Sequence, residues 1–134
     1  MMAGRAAETM LGAMFVHGGW CTLQDPEPRV RAAGPLLARL RRTAPFLPGD
    51  QVLVTVNAAV HVAAGASLAT GVLRRPAAAA LALSLIPTTV AGHAFWEASD
   101  PAVRERELIQ FGKNLAVLGG LLLAAEYPGD PDRQ

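Results

Sequence analysis

The sequence has 134 residues, which is room for a single domain, and we predict one domain over residues 1–134. Twelve basic residues against eleven acidic ones leave a formal net charge of +1. This balance argues against a nucleic-acid-binding protein, because such a protein needs a strong basic excess. Cys21 is the single cysteine, so an intrachain disulfide, a cysteine-based metal site and a CxxC redox motif are excluded.

Two long uncharged stretches predict membrane-spanning helices. No Asp, Glu, Lys or Arg occurs over the 23 residues 51–73 or over the 21 residues 76–96. A bilayer core of ~30 Å needs roughly 20 apolar residues at ~1.5 Å rise each, so both stretches are long enough to span it. Only Arg74 and Arg75 separate them, which predicts a tight helical hairpin.

Two weaker stretches flank this hairpin. Residues 9–24 carry no charge, and residues 108–125 are interrupted only by Lys113. A soluble four-helix protein would show a polar face on each helix, but residues 76–86 show none, which favours the membrane. The first stretch is expected to be retained rather than cleaved, because a histidine interrupts its apolar core. We therefore predict an all-α, multi-pass integral membrane protein of the cell membrane, a four-helix transmembrane bundle with spans at about 7–24, 52–73, 76–96 and 107–125.

The long loop at residues 25–50 is expected to contain a short helix that lies at the membrane interface. Pro35 suits the first turn of a helix. In an interfacial helix, leucines point toward lipid and arginines toward phosphates. The alternative is a solvated loop helix packed on the bundle. The apolar face would carry Leu36, Leu37, Leu40 and Ala44, and the basic face Arg39, Arg41 and Arg42.

Short motifs predict where the last helix begins and where helices touch. Ser99 or Asp100 is expected to cap a helix that has Pro101 at its first position, because such side chains accept hydrogen bonds from the first free amides. The glycine pairs at residues 18–19 and 119–120 are expected to mark close helix contacts, as small residues do in membranes.

Polar residues inside the predicted spans are the candidates for a functional site, because such groups avoid lipid and face a partner or a wet cavity. Helix rise places His17 ~9 Å, His61 ~14 Å and Lys113 ~9 Å from the span ends nearest the two long loops, in one half of the bilayer. Asn57 and His61 are four residues apart and share a helix face. The predicted ligand-binding residues, expected to converge on a pocket open toward the long loops, are His17, Asn57, His61, Thr89, His93, Gln110, Lys113 and Asn114.

These residue types are compatible, to different degrees, with several kinds of ligand and with catalysis. A bis-histidine haem would need His17 and His61 to face each other, and a haem would crowd a bundle of this size. Zinc needs a fixed set of three or four ligands, and no acidic partner is expected at depth. No Ser–His–Asp arrangement supports a catalytic triad. A quinone headgroup needs only one or two hydrogen-bonding groups between apolar walls, so quinone fits best, and no metal is predicted.

The same residues also have a structural interpretation. Lys113 can extend its ammonium group to the interface, and His93 can be an interfacial residue beside Trp96. The remaining polar side chains can serve only to join helices through hydrogen bonds.

The segment from Gly92 to Leu123 closely resembles the third and fourth spans of the DoxX family, and the first two predicted spans look similar to those of that family as well. The resemblance implies a four-helix membrane fold. It also implies an association with quinone- or thiol-linked redox systems, without a defined reaction. The residues that carry it are His93, Phe95, Trp96, Glu97, Phe111, Lys113, Asn114, Gly119, Gly120, Leu121 and Leu122.

Two hypotheses about function follow. In the first, the protein is an accessory subunit of a membrane redox system, in contact with the lipid bilayer and an oxidoreductase partner, and it binds a small apolar ligand in its polar pocket. In the second, it is a non-catalytic scaffold or small-solute binding protein whose polar residues are structural. A stand-alone enzyme is not expected, and self-association into a homo-oligomer is left open.

Overall fold

The computed structural model describes residues 2–126, which form helices joined by short connections and contain no β-strand. A one-turn 3₁₀ helix, Phe95–Glu97, precedes the last α-helix. The α-helices are α1 (Met2–Gln24), α2 (Glu27–Thr43), α3 (Asp50–Thr70), α4 (Arg74–Gly92) and α5 (Pro101–Glu126). The four long helices coincide with the four predicted spans, and α2 lies in the predicted loop.

The long helices form a ring in the order α1, α3, α4, α5. The contact between α1 and α3 is the most extensive, whereas α1 and α5 barely meet. Helix α2 packs outside the ring against α3 and α4. A tight turn at Gly71 (φ +88°) joins α3 to α4, as the predicted hairpin requires. The apolar core fills the half of the ring near this turn and consists of Phe15, Leu68, Ala77, Ala78, Leu81, Ala82, Leu85, Leu121 and Ala124.

Apolar side chains are exposed over much of the outer surface of the ring, as in a membrane protein. Three helical segments are long and apolar enough to cross a bilayer: Asp50–Thr70, Arg74–Glu97 and Pro101–Glu126. Large side chains on their outer faces are exposed, among them Leu83 at 72% and Leu123 at 70%. Lipid is the environment that such faces need. The protein is therefore a helical membrane protein, with three candidate spans instead of the four predicted.

Of the four long helices, α1 is the one outside these three candidate spans. Arg5, Glu8 and His17 all lie within it. It nevertheless runs 23 residues, enough to cross a bilayer core at ~1.5 Å per residue.

Glycines allow the backbones of α1 and α3 to approach closely. A Cβ atom built on Gly12 would overlap the backbone oxygen of Gly65 and lie 2.7 Å from the backbone nitrogen of Ala69. A Cβ on Gly19 would lie 2.7 Å from the backbone oxygen of Ala58. Such direct backbone contact is how small residues pack membrane helices.

The prediction that the two glycine pairs mark close helix contacts was correct for one glycine of each pair. Gly19 contacts α3, and Gly120 faces Leu11, so the prediction is confirmed for these two. It was wrong for Gly18 and Gly119, since a Cβ on either would meet no described atom within 4 Å. Two neighbouring residues on a helix point about 100° apart, so only one of each pair can face the same neighbour.

Helix α2 begins eight residues before the predicted position. Pro28 occupies its first turn, and the prediction that Pro35 would do so was wrong. Pro35 lies inside the helix, where it lacks the amide that would bond one turn back. No residue of α2 is buried, and two of its arginines pair with carboxylates of the bundle: Arg39 with Glu97 at 3.1 Å, and Arg41 with Asp50.

The start of α5 follows the sequence prediction. The helix begins at Pro101, and Asp100 Oδ1 accepts hydrogen bonds from the amides of Ala102 (2.8 Å) and Val103 (3.2 Å). Asp100, rather than Ser99, is therefore the capping residue.

Removing this cap is expected to loosen the first turn of α5. For Asp100→Ala we expect a loss of about 1 kcal/mol, because two helix amides lose their acceptor. Hydrogen exchange at the amides of Ala102 and Val103 should accelerate severalfold in the variant. Ser99→Ala is the matched control and should leave both rates unchanged. Equal acceleration in the two variants would contradict the assignment of the cap.

Candidate functional site

A polar network joins α3 to α4 in the half of the ring beyond the apolar core. Ser84 Oγ lies 2.8 Å from His61 Nε2 and 2.6 Å from Asn57 Oδ1. Asn57 Nδ2 donates to Thr88 Oγ1 at 3.2 Å. The imidazole of His61 also meets the ring of Phe15 edge-on, with 5.0 Å between ring centres. Polar groups of α3 and α4 thus bond to one another between apolar surroundings.

Helical spacing explains how the chain builds this network. Asn57 and His61 are four residues apart on α3, and Ser84 and Thr88 are four residues apart on α4. Residues at that spacing stack on one face of a helix. Because the hairpin makes α3 and α4 antiparallel, the two pairs face each other at the same level.

The donor and acceptor roles in the network are assigned from the contact between Thr88 and the α4 backbone. Thr88 Oγ1 donates to the backbone oxygen of Ser84 at 2.8 Å, so its single proton is committed. It must therefore accept from Asn57, which assigns the amide nitrogen of Asn57 to that contact. The amide oxygen then faces Ser84, whose hydroxyl must donate to it.

His61 stands at the start of this chain of hydrogen bonds. Because the proton of Ser84 is already given to Asn57, His61 Nε2 must carry a proton and donate it to Ser84 Oγ. In neutral His61 the other ring nitrogen, Nδ1, is then an acceptor. Nδ1 has no hydrogen-bond partner among residues 2–126 and is not one of their buried unpaired polar atoms, so it is accessible.

In this direction His61 does not act as a general base toward Ser84. A general base must accept the proton of the nucleophile, whereas His61 donates to Ser84. No catalytic triad was expected from the sequence; here a serine and a histidine are in contact, with the histidine as the donor.

Two further polar contacts join α4 to α5. Asn114 Nδ2 donates to Thr89 Oγ1 at 3.0 Å. His93 Nδ1 lies 2.8 Å from Glu107 Oε2, at the end of the ring near the long loops. The sequence reasoning did not foresee an acidic partner for any histidine, because nothing in the spacing shows that the turn at Phe95–Glu97 returns the chain beside His93.

Five of the eight predicted residues thus make contacts between helices: Asn57, His61, Thr89, His93 and Asn114. The other three are exposed on the outer surface of the described chain. His17 points away from the ring with its Nε2 atom 3.8 Å from Cys21 Sγ. Gln110 and Lys113 line a surface groove of about 470 Å³ with Glu105 and Arg106.

Sequence reasoning missed a buried charged group at the opposite end of the ring. Glu8 is only 5% exposed and accepts hydrogen bonds from Arg5 (2.6 Å) and from Arg74 Nε (2.9 Å). A carboxylate inside a predicted span was the available signal. Its partner on α4 could not be identified without the packing of the helices.

The described residues contain no group of three His, Cys, Asp or Glu side chains close enough to share a metal ion. The donors of the polar network are one imidazole, one amide and two hydroxyls, which suit a small hydrogen-bonding molecule better than a transition metal.

One comparison with known proteins gave a match. The DoxX family model matches residues 6–94, which includes α1 to α4. No significant match was found among curated proteins or among solved structures. The family match ends before α5. It therefore includes only the first three residues of the segment from Gly92 to Leu123, which carried most of the resemblance. Because the match covers well over half of the sequence, the chain belongs to the DoxX family.

Proposed function

We propose that this protein is an accessory subunit of a membrane redox system, quinone- or thiol-linked, that holds a small apolar ligand by its polar headgroup between the helices. The ligand lies against His61, with the hydrogen-bonded network of Asn57, Ser84 and Thr88 behind it. Catalysis belongs to an oxidoreductase partner in the same membrane.

The observation that carries this proposal is the accessible Nδ1 atom of His61. A bare ring nitrogen in an apolar environment lacks the hydrogen bond that water would supply, and leaving such a group unmatched costs free energy. A ligand with a polar headgroup and an apolar body removes that cost and packs against Phe15. Quinones and their reduced forms have this chemistry.

The proposal includes a four-helix transmembrane arrangement in the cell membrane over residues 1–134. Helix α1 packs along α3, which is itself a candidate span, so α1 crosses with it. The buried pairing of Glu8 with Arg5 and Arg74 lowers the cost of placing these charges near the bilayer.

A second candidate function is that of a structural scaffold. Every hydrogen-bonding proton of the Ser84 and Thr88 side chains has an acceptor within the protein. A fully satisfied network of this kind rigidifies a helix pair without needing a ligand. In that case His61 fixes the α3–α4 pair, and the exposed residues Gln110 and Lys113 contact a neighbouring membrane protein.

Mass spectrometry of an organic extract, with a visible spectrum of the same sample, separates the two candidates. The full-length protein is purified gently from its native membrane. Under the proposed function, a quinone-type molecule is expected near one per chain. It should be lost in His61→Gln and retained in His17→Gln, which changes an exposed histidine on another helix. If His61→Gln folds normally and retains as much of the quinone-type molecule as the wild type, the proposed site is refuted. If all three samples contain only bulk lipid, the scaffold function is supported.

A further inference from the structure

Resting on the proposed function, we infer that the ligand donates a hydrogen bond to His61 Nδ1, so that the site selects a hydroxyl-bearing, reduced headgroup over a carbonyl-bearing one. A quinol has the required O–H groups. A quinone has only acceptor oxygens, so it would place an acceptor against Nδ1, which is itself an acceptor.

The inference depends on where the chain of hydrogen bonds ends. The hydroxyl of Thr88 donates to the backbone oxygen of Ser84, an atom that can only accept. This contact orients the amide of Asn57, the amide oxygen takes the proton of Ser84, and Ser84 accepts from His61. A backbone carbonyl on α4 thereby determines which nitrogen of the imidazole is bare.

Reversing the chain would cost the network one hydrogen bond. If His61 Nε2 were the acceptor, Ser84 would have to donate to it, and the amide oxygen of Asn57 would then face Ser84 without a proton between them. Turning the amide would instead place its oxygen against Thr88, whose hydroxyl could pair with it only by leaving the backbone oxygen of Ser84. Unpaired polar groups in a low-dielectric interior are costly, so the described direction is retained.

Thr88→Val gives a specific test of this mechanism. It removes the hydroxyl that orients Asn57, so the amide can turn and donate to Ser84. Ser84 can then donate to His61 Nε2, and the proton of the imidazole moves to Nδ1. The ligand preference of the variant should therefore shift toward the carbonyl-bearing form.

The experiment measures equilibrium binding of three short-chain probes to the full-length protein in lipid nanodiscs: an alkyl hydroquinone, its dimethyl ether and the matching quinone. We expect the hydroquinone to bind about five- to 150-fold more tightly than either other probe, since a mismatched buried acceptor costs roughly 1–3 kcal/mol. The ratio should fall to near one in His61→Ala and fall or invert in Thr88→Val. Thr55→Val, an exposed threonine on α3, is the control and should keep the wild-type ratio.

The outcomes separate this inference from the function on which it rests. If none of the probes binds, the proposed function fails. If the quinone binds as well as the hydroquinone and His61→Ala abolishes both, the proposed function stands and the selectivity is overturned. Nitrogen NMR of labelled histidine gives an independent readout in the ligand-free protein, where His61 is expected to carry its proton on Nε2. A proton on Nδ1 would also overturn the inference.

Discussion

Gly12→Ala is expected to destabilise the protein by about 2 kcal/mol, although alanine favours helix more than glycine does. The added methyl group would overlap the backbone of Gly65 and Ala69 on α3, where no flexible side chain can move aside. Inserting atoms into a well-packed contact typically costs about 1–3 kcal/mol, while the gain in helix propensity is only about 0.5–1 kcal/mol. Unfolding by SDS in mixed micelles, followed by tryptophan fluorescence, measures the difference.

Gly18→Ala is the matched control in the same helix. A Cβ at Gly18 meets no described atom within 4 Å, so only the propensity effect applies. This variant should be as stable as the wild type or slightly more stable. The two substitutions therefore have opposite expected signs, and a loss of stability in both would contradict the assigned α1–α3 contact.

Glu8→Ala is expected to cost about 3 kcal/mol of unfolding free energy. The carboxylate is almost fully buried and binds both Arg5 and Arg74. Its loss leaves Arg74, whose side chain is three quarters buried, without a counter-charge. Breaking a buried ion pair by removing one partner is far more costly than breaking an exposed one.

The control for this prediction is Glu27→Ala, which removes an ion pair with Arg31 on the exposed surface of α2. Its glutamate is 78% exposed, so solvent screens the interaction and little stability should be lost. A double-mutant cycle completes the test. Adding Arg74→Ala to Glu8→Ala should restore part of the lost stability, because the uncompensated charge is gone. Strictly additive effects would show that the two groups are not coupled.

Much of the helical architecture could be predicted from where charges are missing. The gaps at residues 51–73 and 76–96 correspond to α3 and α4, and the cap at Asp100 located the start of α5. The start of α2 could not be predicted in the same way, because Pro28 and Pro35 carry equivalent local signals. Helix α2 contacts α3 and α4, and such contacts cannot be read from the local sequence.

The candidate site was predictable in its composition but not in its pairing. Spacing identified Asn57 and His61 as neighbours on one helix face, yet the groups that complete the network, Ser84 and Thr88, lie on another helix. Their alignment depends on the length of the turn at Gly71 and on the rotation of α4, neither of which can be read from periodicity. The rotation of α1 cannot be read from periodicity either. For this reason His17 was grouped with His61, although His17 faces outward.

The pairing of Glu8 with Arg74 has a consequence for how the protein enters the membrane. The two residues are 66 positions apart, so when α1 emerges from the ribosome its carboxylate has only Arg5 as a counter-charge. Helix α1 also packs mainly on α3, which is synthesised after α2. The contacts of α1 are therefore complete only when the α3–α4 hairpin has formed, because the hairpin supplies both its glycine contact and its ion pair.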